Sequence, residues 1–281
     1  MKFKIFIAVL LVAGAWVAGR SYWRGQSGEE QILAAASPAA PAPAGEATGP
    51  GLQQIDESYR LSPGARVEVS GINGPVEIVT AEGDAAEVHA ETRADDGRTL
   101  ERQKITVEHA ADRLVVRGGK PGGGGFLSWL GGRKGGRAKH SVRLLLPRRV
   151  TLDANGINGR LRVGELEGGL EVSGVSGAVE VGSAAGGSEV SGVNGPVSLS
   201  LASVGAGGVQ VSGINGPVDL RLAATVNADI DAVGINGPVV NELTRAAGGG
   251  QGGAPFSARV GAGGPHINLS GINGGLTLSD K

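Results

Sequence analysis

A seven-residue turn recurs along this chain and limits its fold more than any other feature. It reads SGINGPV from Ser70, SGVNGPV from Ser191 and SGINGPV from Ser212. Aligned on its first glycine, the motif has seven copies, at Gly71, Gly156, Gly174, Gly192, Gly213, Gly234 and Gly271. Ile or Val comes next, then Asn in six copies (Asn73, Asn158, Asn194, Asn215, Asn236, Asn273) and Ser176 in the seventh. Gly follows in every copy, and Val or Leu stands two residues later. From Gly156 onward the steps are 18, 18, 21, 21 and 37 residues, the last being two units or one unit with a Gly-rich insertion around GGGQGGAP.

Asn-Gly tolerates positive φ, so it bends the backbone where a branched residue would be strained. Around it lie short alternating runs such as LEVSG, AVEVG and PVDLRL, the period-two pattern of strands with one buried face. Each unit of about 20 residues therefore holds two short strands and two turns, too few to bury its own apolar side. Stacked units share one core, which predicts an all-β chain wound as a single-stranded β-helix, with Val190 under Val211 and Val193 under Ile214. The turn residues Asn73, Asn158, Ser176, Asn194, Asn215, Asn236 and Asn273 would then form a ladder up one corner, amide to amide. The competing reading takes each Asn-Gly as a hairpin turn in an antiparallel meander. Against it, Pro75, Pro196, Pro217 and Pro238 follow the glycine where a hairpin would often need a ladder N–H.

The remaining sequence divides the chain into four parts. Residues 1–24 combine a basic MKFK start with an uncharged, mostly apolar run from Ile5 to Gly19. This is an export segment, either a cleaved signal with Ala13-Gly14-Ala15 at the cut or an uncleaved anchor helix touching the membrane. Residues 25–51 form a Pro/Ala-rich spacer expected to be solvated and without fixed structure. Residues 52–150 carry one isolated motif and longer strands at AEVHAETR, KITVEHA, RLVVRGG and HSVRLLLP, expected to start the stack and cover its end. Residues 151–281 hold the regular repeats. Because INLSGINGGLTLSDK ends the chain without a capping helix, its last coil is expected to leave strand edges open for self-association.

Within 118–140 a glycine-rich loop carries Phe126, Leu127, Trp129 and Leu130 between basic residues that include Arg133 and Lys134. A basic loop with an apolar tip suits a membrane surface or a partner, while a tip that plugs the core or stays unstructured is the plainer reading. The formal net charge of -1 gives no overall pull toward nucleic acid, and the lack of Cys excludes disulfides and thiolate metal sites.

The VEVSGINGPVEI opening, the VRLLLPRRVTLDANGINGRLRV passage and the strand repeats after it resemble the bacterial putative-adhesin family of envelope proteins, from about Leu52 to Leu278. The resemblance implies a right-handed β-helix and a place outside the cytoplasm: periplasm, cell surface, or inner membrane through the N-terminal segment. It brings no catalytic residues.

An enzyme on such a scaffold would gather carboxylates and aromatic platforms on one face. Here the acidic candidates Glu171, Glu180, Asp219, Asp229 and Asp231 fall mostly at outward strand positions where a solvated charge is ordinary, and from Thr151 onward Phe256 is the sole aromatic residue. Asp229 and Asp231 would share a strand face about 7 Å apart. His89, His109, His140 and His266 lack ligand spacing, and no calcium repeat, phosphate loop or nucleophile motif is present. The expectation is a non-enzymatic, cofactor-free and metal-free interaction module engaging an envelope protein or a surface polymer, with a carbohydrate-active or carbohydrate-binding β-helix as the alternative.

Overall fold

The alternating runs become strands in the computed structural model, which describes residues 51–119, 137–248 and 255–281. The export segment, most of the spacer and the apolar tip of the basic loop, with Phe126, Leu127, Trp129, Leu130, Arg133 and Lys134, lie outside the described residues. In the first half the elements are β1 (Gly51–Arg60), β2 (Arg66–Ser70), β3 (Val76–Ala81), β4 (Ala85–Ala94), α1 (Gly97–Gln103), β5 (Ile105–Ala110), β6 (Arg113–Gly118) and β7 (Ala138–Pro147). The regular repeats give β8 (Thr151–Asn155), β9 (Leu161–Leu166), β10 (Leu170–Val175), β11 (Val179–Ala184), β12 (Ser188–Val193), β13 (Val197–Leu201), β14 (Val209–Ile214) and β15 (Val218–Leu222). The last part gives β16 (Ala228–Ile235), β17 (Val239–Asn241), β18 (Ala246–Gly248), β19 (Phe256–Val260), β20 (His266–Ile272) and β21 (Leu276–Asp280).

The motif turns send the chain from one sheet to the other. One sheet has ten strands in the order β1-β4-β7-β3-β9-β11-β13-β15-β21-β17, the other eleven in the order β18-β19-β16-β20-β14-β12-β10-β8-β2-β6-β5. Both are mixed. The repeats pair in parallel, every second strand in register: Val172 with Val190, Val190 with Val211, and Val193 with Ile214. On the other sheet Leu161, Val179, Val197, Val218 and Leu276 line up across five strands. Period-two alternation turns these residues into a shared interior, and each is at most 1% exposed. The hairpin meander is not seen among the repeats, because a two-residue turn would join antiparallel neighbours.

Three features depart from the sequence reading. First, the terminal coil is not the end of either sheet. Strand β20 lies between β14 and β16, and β21 lies between β15 and β17, so the expected open edge at the C-terminal coil, and self-association through it, are corrected. The inserted coil brings a complete aliphatic face, with Ile267, Leu269, Ile272, Leu276 and Leu278 all at 0% exposure. Strand β17, which it displaces outward, has a half-buried Val239 and an exposed Val240. The better apolar face takes the interior slot. Second, the 37-residue step is one coil followed by an antiparallel addition, β19 on β16 and β18 on β19. Third, residues 52–150 join both sheets, but their outer strands are antiparallel: β1 with β4, β4 with β7, and β5 with β6. Here α1 is an addition the strand pattern did not suggest. It is capped by Asp96, which accepts from Thr99 N–H at 2.7 Å.

One interior column contains a misfit. Ser188 stands between Leu170 and Val209, is 5% exposed, and its hydroxyl has no hydrogen-bond partner. Replacing Ser188 by Val removes an unsatisfied buried hydroxyl and restores the column's chemistry. It is expected to stabilise the fold by about 1–2 kcal/mol in urea titration; an unchanged or lower midpoint would contradict this.

Candidate functional site: an open trough and its turn ladder

The outer face of the ten-stranded sheet carries a trough. Parallel register places Glu77, Arg162, Glu180, Ser198, Asp219 and Thr277 in one row across β3, β9, β11, β13, β15 and β21. Two residues further along their strands lie Val79, Gly164, Gly182, Ser200 and Arg221. The small side chains at the centre let the surface sink. Ala178, Pro196 and Pro217, all from motif turns, form one rim, and Arg148 with Glu165 forms the other. The resulting open cavity has a volume of about 920 Å3, and no aromatic ring lines it.

Its charges are already matched. Arg162 Nη2 lies 2.8 Å from Glu180 Oε2, Arg148 Nη1 3.0 Å from Glu165 Oε2, Arg221 Nη2 2.6 Å from Asp219 Oδ2, and Arg143 Nε 3.8 Å from Glu77 Oε2. Pairs this exposed contribute little stability. Their effect here is to leave a nearly neutral, polar surface whose carboxylates each have a cationic neighbour.

Along one corner the turn residues follow one another. Asn158 Nδ2 donates to Asn73 Oδ1 at 3.0 Å, Asn215 to Asn194 at 3.0 Å, Asn273 to Asn215 at 3.0 Å and Asn236 to Asn273 at 3.2 Å. Ser176, whose side chain is too short to carry this amide chain, separates the two runs. Beneath the side chains the backbone continues unbroken: the N–H of Asn158, Ser176, Asn194, Asn215, Asn273 and Asn236 donates to the residue before the corresponding turn position on the neighbouring rung, at 2.7–2.8 Å. The order is that of the sheets, so Asn273 precedes Asn236.

The first copy has no rung below it, and His140 takes that place. Asn73 N–H donates to His140 Nδ1 at 2.9 Å, while His140 Nε2–H donates to Gln103 O at 2.8 Å. This histidine is 4% exposed. By spacing alone it is one of four scattered histidines; the alternation in AKHSVRLLLP, which puts position 140 on the face of Val142 and Leu144, is the signal that marks it as buried. Burial holds the His140 imidazole below the usual histidine value.

Below pH about 6.5 the unfolded chain takes up a proton that the folded chain refuses, so stability falls from pH 7 toward pH 5, by at most about 1.4 kcal/mol per pH unit. His89, raised by its hydrogen bond to Asp56, acts in the opposite sense but is exposed and screened. Urea midpoints at pH 7 and pH 5 are expected to separate in the native chain and to converge in His140→Gln, whose amide keeps one acceptor and one donor. Equal separation in both would remove His140 from this role.

The five acidic candidates are not brought together. Glu180 and Asp219 lie in the trough, whereas Glu171, Asp229 and Asp231 are on the eleven-stranded sheet. Asp229 Oδ1 accepts from Arg259 Nε at 2.9 Å, which with the Gly264 N–H holds its carboxyl below the usual range. Asp231 accepts from Ser257 Oγ at 2.9 Å. Among the described residues no three His, Asp or Glu side chains gather in a metal-holding group, and no helix is long and apolar enough to cross a membrane.

No family model and no curated protein matches the chain. Solved structures to which it is similar include a putative cell adhesion protein, putative adhesins and a putative lipid binding protein. One, a putative cell adhesion protein from Clostridium sporogenes ATCC 15579, shares 13% identity over 82% of this chain and 100% of its own, with a TM-score of 0.46. Another, a putative adhesin from Bacteroides fragilis NCTC 9343, shares 11% identity over 82% of this chain and 97% of its own, with a TM-score of 0.36.

Proposed function

We propose that this protein is a non-catalytic interaction module of the bacterial cell envelope, an exported right-handed β-helix that receives an extended envelope protein or surface polymer along its trough. The β-helix reading is supported by the parallel pairing of alternate strands at repeats of 18 and 21 residues and by the turn ladder on one corner. Export is supported by the basic-then-apolar start of the sequence.

The observation that carries the binding reading is the trough itself. It crosses neighbouring strands from β3 to β21, and three successive strands give it a floor of small residues, Gly164, Gly182 and Ser200. A long ligand laid across the strands would meet a shallow central floor flanked by paired charges and hydroxyls. Carboxylates tied to arginines form such a surface more readily than they form an acid–base pair, which needs two groups of contrasting protonation.

Gly182 offers a clean test, because a Cβ there would meet neighbours only at ordinary contact distance, 3.5 Å or more. Gly182→Trp fills the floor without disturbing the backbone. Retention of the exported domain on immobilised envelope polysaccharides or envelope proteins is expected to fall at least about tenfold in the variant at unchanged melting temperature, a difference of about 1.4 kcal/mol. Release of new reducing ends from a polysaccharide panel, abolished by Glu180→Gln, would replace this reading with the carbohydrate-active one.

A further inference from the structure

The two sheets end differently at their two extremities. At one end the outermost strands, β17 and β18, have three residues each, short enough to be poor templates for another chain. At the other, the ten-stranded sheet finishes in β1, ten residues in unbroken register with β4 and joined to no other strand among the described residues. Leu61 N–H, just past this strand, donates to Asp84 O at 2.8 Å. In an antiparallel ladder this phase turns the backbone groups of odd-numbered β1 residues toward β4 and those of even-numbered residues away. The open edge therefore consists of Leu52, Gln54, Asp56, Ser58 and Arg60. His109 Nε2 occupies the carbonyl of Arg60 at 3.1 Å, which leaves four consecutive outward residues whose N–H and C=O groups meet no partner strand among the described residues. The strand contains no proline, lysine or bulge of the kind that blunts an edge.

The side chains on this edge are complementary to their own reverse. Read antiparallel about Ile55, the segment LQQIDES sets Gln54 opposite Asp56 and Leu52 opposite Ser58. Centring it instead on Asp56 or Glu57 sets a carboxylate against its own copy, and centring it on Gln54 sets Asp56 against Leu52. Like charges directly opposite are unfavourable and amide–carboxylate pairs are favourable. Asp56 spends Oδ1 on His89 at 2.7 Å, so its second oxygen remains to accept from a glutamine amide.

We propose that β1 pairs antiparallel with β1 of a second copy of this chain, on a two-fold axis through Ile55. The pairing is isologous and self-closing. It adds four hydrogen-bonded residue pairs between the copies, drawn from the even-numbered positions, and joins the two ten-stranded sheets edge to edge. Because the axis is perpendicular to the sheet, both troughs open to the same side, and a long ligand could engage two of them at once with the gain that linkage brings.

The register can be read chemically, because the chain has no cysteine and any engineered disulfide must join two copies. Ile55 would face its own counterpart as a non-hydrogen-bonded pair with Cα atoms about 4.5 Å apart, within disulfide range. Mild oxidation of the full-length Ile55→Cys chain is expected to give a reducible dimer. Because Ile55 packs on the core, a second experiment uses exposed positions: a mixture of Gln54→Cys and Asp56→Cys chains is expected to cross-link, and each alone far less. Gln54→Pro removes an N–H that faces away from β4, so the sheet of each copy survives. Sedimentation of the full chain is expected to show the dimer mass shifting to monomer in this variant, at unchanged melting of the subunit. Because the same leader is present in both chains, association through that segment would not respond. A native chain that sediments as monomer throughout, a Gln54→Pro chain that keeps the dimer mass, or cysteine chains that fail to cross-link as described would overturn the proposal.

Discussion

Deleting Ile267–Lys281 is expected to abolish cooperative folding of the distal stack, with no soluble domain of native melting temperature recovered. The segment lies at the end of the sequence and in the interior of both sheets, with β14 and β16 flanking β20, and β15 and β17 flanking β21. Five side chains, Ile267, Leu269, Ile272, Leu276 and Leu278, leave the core with it, each at 0% exposure. At about 1.5–3 kcal/mol per buried aliphatic side chain their burial amounts to about 8–15 kcal/mol as an upper estimate. That is the size of a whole domain's stability, about 5–15 kcal/mol. Strands β16 and β17 would also lose their parallel neighbours, because each pairs with the deleted coil. Thermal unfolding followed by circular dichroism tests this. A truncated chain melting within a few degrees of the intact one would mean that β20 and β21 are peripheral, contrary to the strand order described.

The second large effect is expected at Gly216. In the regular repeats the second glycine of a motif carries a constraint that the first lacks. The first has a left-handed backbone, φ 63° at Gly213, where an added Cβ would meet nothing closer than ordinary contact at 3.6 Å. The second is packed against the rung below: a Cβ at Gly216 would fall 2.4 Å from Gly195 O and 2.6 Å from its carbonyl carbon. The same approach recurs at Gly159, Gly177, Gly195 and Gly274, where an added Cβ would fall 2.3 Å from the neighbouring rung's carbonyl oxygen.

Gly216→Val is therefore expected to cost about 3–5 kcal/mol, in the exceptional range for a single substitution, because two backbones must part. Asparagine separates the two positions, since it tolerates the φ of 63° at Gly213, whereas at Gly216 it meets both the neighbouring carbonyl and a φ of 159° that side chains rarely adopt. Gly213→Asn is expected to cost under about 1 kcal/mol, while Gly216→Asn should cost nearly as much as the valine. Asp219→Asn, which loosens one exposed pair with Arg221, is expected to stay within about 0.5 kcal/mol. Urea midpoints for the four variants provide the measurement. Equal shifts at Gly213 and Gly216 would contradict the separate roles.

Much of the candidate site is legible in the sequence because it is built from the repeat. The outward row containing Glu180, Ser198 and Asp219 follows from alternation plus a common register. The proline rim follows from the motif. What alternation does not give is the depth of the trough. Gly164, Gly182 and Ser200 read as spacing within strands, and they become a floor only when rungs 18 or 21 residues apart are set side by side. His140 escapes sequence reasoning for a related reason. Its partners Asn73 and Gln103 are 67 and 37 residues away, and no local pattern joins them.

The bends, the faces and the pairing of the regular repeats were written into the chain itself. Each of these depends on chemistry within a single unit: Asn-Gly turns, period-two burial, and a spacing that sets one valine beside the next. The order at the two ends was settled by long-range packing alone. There the aliphatic face of the last coil took the interior position ahead of an earlier one, and the outermost strands of the first half, β1, β4 and β5, joined antiparallel. Both outcomes come from competition among segments for the same apolar interior, and the turn motif, nearly identical at every rung, does not itself say which segment prevails.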